Sequence, residues 1–167
     1  MSPISPADAT ELWDLKSRYF YYLDTKQWDR LHEVFWPDAR FEGFAFPADS
    51  AADFVRTVSH FLADVTSTHH GYQPRFRHVA DGGVRGVWAM HDHLEWEPDS
   101  RIYKDIPVPG MRGIHGYGYY EDEYERRAGV WRARFSRLVR TRIDPVVDVA
   151  PRPRYDVMGP DLRWLED

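Results

Sequence analysis

Residues 84–96 read VRGVWAMHDHLEW. Alternate residues of a β-strand share a face. Threaded that way, the stretch puts Trp88, Met90, Asp92, Leu94 and Trp96 on one side, and Val87, Ala89, His91, His93 and Glu95 on the other. The first side is apolar except for Asp92. A carboxylate among tryptophans must be paired or protonated, because burying an isolated charge is expensive. Two readings of Asp92 are open: it is a structural partner of an arginine or a backbone amide, or it orients a catalytic histidine. His91 and His93 share the opposite face, which invites a metal reading. Glu95 follows His93 too closely for the ligand spacing of a cupin, so both histidines read as solvated and no metal site is expected.

Strand signals continue on both sides of this stretch. Gly82-Gly83 is a hairpin turn, and before it HHGYQPRFRHVA (69–80) reads as a strand whose proline makes it irregular or an edge. A loop rich in proline and glycine spans 98–112, followed by the strand IHGYGYYEDEYER (114–126), a turn at Gly129 and the strand VWRARFSRLVRTRID (130–144). The N-terminal part has helical spacing instead. A first helix starts at Pro6 or Asp8 and carries Leu12, Leu15, Tyr19, Tyr22 and Leu23. A second, short helix holds Trp28, Leu31, Val34 and Phe35 until Pro37-Asp38 stops it. ARFEGFAF (39–46) is a strand, and Asp49 or Ser50 caps a third helix through about Val65.

Helices, one strand, a helix and then four strands argue for an α+β fold. The expected architecture is a cone-shaped, curved antiparallel or mixed sheet wrapped around three helices, with a cavity between the layers. One domain is expected over 1–145, with 146–167 as a C-terminal extension that crosses a neighbour or covers a pocket mouth.

Composition narrows the function. The net charge of −5 and the lack of a basic block argue against a nucleic-acid partner. The chain has no cysteine, which removes thiol nucleophiles and Cys-type zinc sites and fits a reducing compartment. Neither a signal peptide nor a membrane-spanning run is present, so a cytoplasmic protein is expected. Aromatic residues make up 16% of the chain, enough to line a pocket for a flat hydrophobic ligand.

His69 stands in STHHGYQ (67–73), with His70 pointing the other way along the strand. It is either a hydrogen-bonded core residue or a general base. Tyr19 and Asp24 are likewise a core tyrosine and a helix cap, or two groups facing the cavity.

Together RYFYYLDTKQWDRLHEVFWPDARFEG (18–43), THHGYQPRF (68–76), GVWAMHDHLEW (86–96) and GIHGYGYYEDEYERRAGVWRARFSRLVRTRID (113–144) resemble the SnoaL-like branch of the nuclear-transport-factor-2-like superfamily. Within it the nearest resemblance is to scytalone dehydratase and the bile-acid dehydratases. The resemblance implies a lyase or isomerase with no metal or organic cofactor, acting on a small hydrophobic cyclic substrate. By motif position it makes His69 the proton-transfer residue, supported by Asp24 or Asp92, with Tyr19 on the substrate oxygen. Tyr22, Trp88, His115 and Tyr117 are expected around the substrate. Tyr72 joins them, at a position where the family often has a second histidine. A homodimer or homotrimer is implied. Two other roles fit the same resemblance: a non-catalytic small-molecule binder, and the small structural subunit of a ring-hydroxylating dioxygenase.

Overall fold

A computed structural model describes residues 3–147 and 158–165. Helix α1 (Pro6–Asp24) begins where Ser5 caps it, the Ser5 hydroxyl accepting from the Asp8 N–H at 3.1 Å. Its inner stripe is Leu12, Leu15, Tyr19, Tyr22 and Leu23, all buried. The expected second helix is a single 3-10 helix, Trp28–Glu33. Strand β1 (Phe35–Glu42) then starts earlier than the sequence indicated and ends earlier, so Pro37 lies inside a strand and Gly43–Phe46 lie outside it. The edge position explains this. β1 pairs only with β5, and that pairing is interrupted between Phe35 and Arg40, where the missing N–H of Pro37 costs nothing. At Gly43 the chain turns away with φ of 75°. Helix α2 (Ala51–Leu62) is capped by Ser50 and stops three residues short of Val65.

The remaining strands are β2 (Thr66–His78), β3 (Val84–Glu95), β4 (Met111–Arg127) and β5 (Val130–Val147). The sheet order is β1-β5-β4-β3-β2, with β1 parallel to β5 and every other pair antiparallel. It is a curved, unclosed five-stranded sheet with helices against its inner face. β2 is the other edge, and its pairing slips between Tyr72 and Arg75, around Pro74. Ala128 and Gly129, both at positive φ, make the β4–β5 turn. The alternation expected for β3 is present: Trp88, Met90, Asp92 and Leu94 are buried, while His91, His93 and Glu95 face outward. No described helix is long and apolar enough to cross a membrane.

Charge is buried deep in the inner face. Lys16 of α1 and Asp122 of β4 are 4% and 3% exposed, and Lys16 Nζ donates to Asp122 at 2.8 Å. Asp122 also accepts from the hydroxyls of Ser136 and Tyr124, each at 2.7 Å, and Trp88 Nε1 donates to the Tyr124 oxygen at 3.0 Å. The ammonium lies 3.8 Å from the centre of the Tyr120 ring. Burial depresses the Lys16 pKa, and the Asp122 charge works against that shift. Removing one member of such a pair strands the other charge. Asp122→Ala is therefore expected to destabilise the fold by about 3–5 kcal/mol, read from urea-induced unfolding.

Candidate active site

The end of α1 meets the start of β2 through one side chain. Asp24 is the last residue of α1, and its carboxylate accepts from the Ser67 hydroxyl at 2.9 Å, the His69 backbone N–H at 2.7 Å and His69 Nδ1 at 2.7 Å. Lys26 Nζ donates to the Ser67 oxygen at 3.0 Å, which leaves the serine proton for Asp24. The left-handed backbone at Lys26, φ of 61°, brings the chain back toward β2. The His69 side chain is 7% exposed. With Nδ1 donating to a carboxylate, its Nε2 keeps the lone pair.

His69 faces a cavity of about 40 Å³ between the helices and the sheet. Its polar wall is Tyr19, Tyr103, Tyr120, Asp92 and Arg140, and its aromatic wall is Phe44, Phe46, Phe54 and Phe61. Tyr19 and Tyr120 are hydrogen-bonded to each other, and burial pushes both hydroxyls well above the usual phenol range, so they are held as neutral donors. Burial likewise raises Tyr103, against the opposing pull of Arg140. Wider surface depressions of about 400 and 730 Å³ lie elsewhere; the first has no histidine in its lining, and in the second His32 Nδ1 meets the backbone carbonyl of Asp29 rather than a carboxylate.

Asp92 sits beside His69 across the β2–β3 ladder, but its partner is Arg140. Arg140 Nη1 donates to Asp92 Oδ1 at 2.8 Å, and Nη2 donates to Oδ2. Of the two readings of Asp92, the arginine partner is the one present. Asp24 is the carboxylate bonded to the His69 ring. Arg140 Nε is buried without a hydrogen-bond partner among the described residues.

Five residues expected around a substrate lie outside this cavity. The Tyr22 hydroxyl donates to Glu33 at 2.8 Å, and burial together with Glu33 pushes it up to about 12. Trp88 is committed to Tyr124 in the lysine network. Tyr72, His115 and Tyr117 are on the outer face, because the inward positions next to them are Gly71 and Gly116. There, His91 stacks on Tyr117 with ring centres 4.8 Å apart, and His93 stacks on His115 at 4.3 Å. No group of three or more His, Asp or Glu among the described residues is placed to hold a metal ion.

Comparison with known proteins places this geometry in a family. A SnoaL-like domain model matches residues 6–137. The chain belongs to the SnoaL-like family. Solved structures similar to this SnoaL-like domain include a type 2 hexachlorocyclohexane dehydrochlorinase, LinA, at 20% identity and TM-score 0.72, covering 89% of this chain and 95% of that one. A scytalone dehydratase-like protein from Novosphingobium aromaticivorans is 16% identical with TM-score 0.67, covering 91% and 96%. ActVI-ORFA from Streptomyces coelicolor is 15% identical with TM-score 0.59, covering 81% and 98%. At these identities the likeness is one of fold.

Arg140, Tyr103 and Tyr120 were not singled out by the sequence reading. Arg140 had a signal, since Asp92 on an apolar face called for a counter-charge. Another mark of the pair is Gly116 on the strand between them. A Cβ there would lie 1.8 Å from Arg140 Nη1 and 2.2 Å from Asp92 Oδ1. Gly116 is the gap through which the guanidinium crosses β4. Overpacking a filled site costs about 1–3 kcal/mol. Gly116→Ala in this SnoaL-like domain is expected to lose that much stability, measured by chemical denaturation, whereas Gly159→Ala, with open space around it, is expected to lose none.

Proposed function

We propose that the protein is a cofactor-independent lyase, a dehydratase in the first instance, or an isomerase, acting on a small hydrophobic cyclic molecule. The observation that carries this reading is the 2.7 Å bond between His69 Nδ1 and Asp24 at the edge of an aromatic-walled cavity. The carboxylate fixes the tautomer and stabilises the imidazolium once it forms. His69 Nε2 takes a proton from a carbon next to a carbonyl. The C–H electrons become the new double bond or an enolate. In an elimination, the leaving group departs with its electron pair from the adjacent carbon, and His69 returns the proton to a departing hydroxyl, which leaves as water. In an isomerisation, the same proton is delivered to another carbon.

Negative charge grows on the substrate oxygen or leaving group during either reaction. Arg140 and the neutral hydroxyls of Tyr19 and Tyr103 are donors on that side of the cavity, with Tyr120 bonded to Tyr19 behind them. Fixed donors aimed at developing charge lower a barrier more than solvent does. Among the fold relatives, the names dehydrochlorinase and dehydratase both denote loss of a proton with a leaving group. A ring-sized substrate exceeds the free volume of about 40 Å³, so under this proposal the lining side chains repack to admit it. We also take the protein to be cytoplasmic and to self-associate as a homodimer or homotrimer.

The test is deuterium exchange in D₂O into a panel of cyclic ketones and β-hydroxy ketones, followed by NMR. His69→Ala is expected to slow exchange by about 10²–10⁴-fold, the usual contribution of a general base, while a loss below about tenfold refutes the assignment. Asp24→Asn is expected to slow exchange while leaving ligand affinity near that of the native chain. Ligands that bind without exchanging, with affinity alone altered by His69→Ala, would establish a binding protein instead.

A further inference from the structure

A large apolar depression among the described residues lies away from the candidate active site. It has a volume of about 730 Å³ between the 3-10 helix, the start of β1 and the outer side of α2. Trp28, Phe35, Pro37, Ala51 and Val55 give it apolar lining, and Asp29, His32, Arg56 and Arg132 give it polar lining. Arg132 rests over the Trp36 ring, and its Nε has no hydrogen-bond partner among the described residues. The groove thus combines apolar lining with charged groups of both signs.

The C-terminal arm has the complementary features. Met158, Trp164 and Leu165 are 92%, 79% and 89% exposed, among the most exposed large apolar residues described. A tight turn joins them, with the Trp164 N–H donating to the Asp161 carbonyl at 3.2 Å and the Arg163 N–H to the Asp161 carboxylate at 3.0 Å. Asp161 and Arg163 thus flank the apolar side chains with one charge of each sign. The groove lining answers with Arg132 and Asp29. An exposed tryptophan next to leucine is a large apolar payload, and such residues are the usual anchors of an interface.

We infer that the arm of one copy, residues 158–165, docks in the α2 groove of a second copy. In the structure the arm does not fill the groove of its own chain, since Met158, Trp164 and Leu165 stay exposed. Exchange between two copies covers both surfaces and closes symmetrically, with two arms filling two grooves. This inference specifies the self-association proposed above and is independent of the catalytic reading.

Sedimentation equilibrium of the full chain tests it. The native chain is expected to assemble, and Trp164→Asp and Val55→Arg are each expected to weaken assembly at least tenfold, with unchanged circular dichroism. An equimolar mixture of the two variants retains one intact arm and one intact groove, so it is expected to form a heterodimer that neither variant forms as a homodimer. Since Trp164 is exposed, its replacement keeps the test informative even if Val55→Arg does not fold. A monomeric native chain overturns both the docking and the self-association. An assembly that Trp164→Asp leaves unchanged overturns the docking alone, as does a mixture that stays monomeric.

Discussion

A carboxylate placed on the apolar face of a sheet must be neutralised, and the interior of this protein is arranged around that requirement. Asp92 is 1% exposed, and the matching charge comes from Arg140, two strands away. The strand between them has to be bare, which explains Gly116 in the middle of β4. A planar guanidinium can meet a carboxylate with two parallel bonds, and its charge persists at any working pH. The result is a fixed ion pair in the wall of the cavity that His69 also lines.

Two buried acids divide the inner face between them. Asp122, with Lys16, Ser136 and Tyr124, organises one end, while Asp92 with Arg140 organises the other. Tyr19 and Tyr120 stand between the two, hydrogen-bonded to each other. Each acid has the partners it needs, so neither depends on His69. Among the described residues the imidazole bonds to Asp24, at the end of α1.

The layers of the fold were legible because helical and strand periods are written plainly in α1, α2 and β3. β1 was misplaced because Pro37 reads as a helix stop, whereas at a sheet edge it is a permitted strand residue. Arg140 was harder to read. Counting alternate residues from the buried Trp131 and Ala133 puts Val139 inside and Arg140 outside. A bulge between Ala133 and Phe135 reverses the count, so Ser136, Leu138 and Arg140 turn inward. His115 and Tyr117 show the opposite case. Motif position carried them to the pocket, while the buried Ile114 on the same strand had already assigned even-numbered residues to the interior. Tyr103 lies in an aperiodic loop, where nothing in the sequence indicates direction.

The same carboxylate that orients the His69 ring also receives the His69 backbone N–H and the Ser67 hydroxyl. Under the proposed function it is at once a proton-transfer accessory and the clasp that fastens the first helix to an edge strand. Selection therefore cannot retune one role without touching the other. A lineage that abandoned the chemistry would still be under pressure to keep Asp24, so an aspartate at this position in a relative is a poor marker of activity. Under that proposal, the residue free to drift once the chemistry is lost is the histidine, because a replacement other than proline keeps the backbone N–H bond to Asp24.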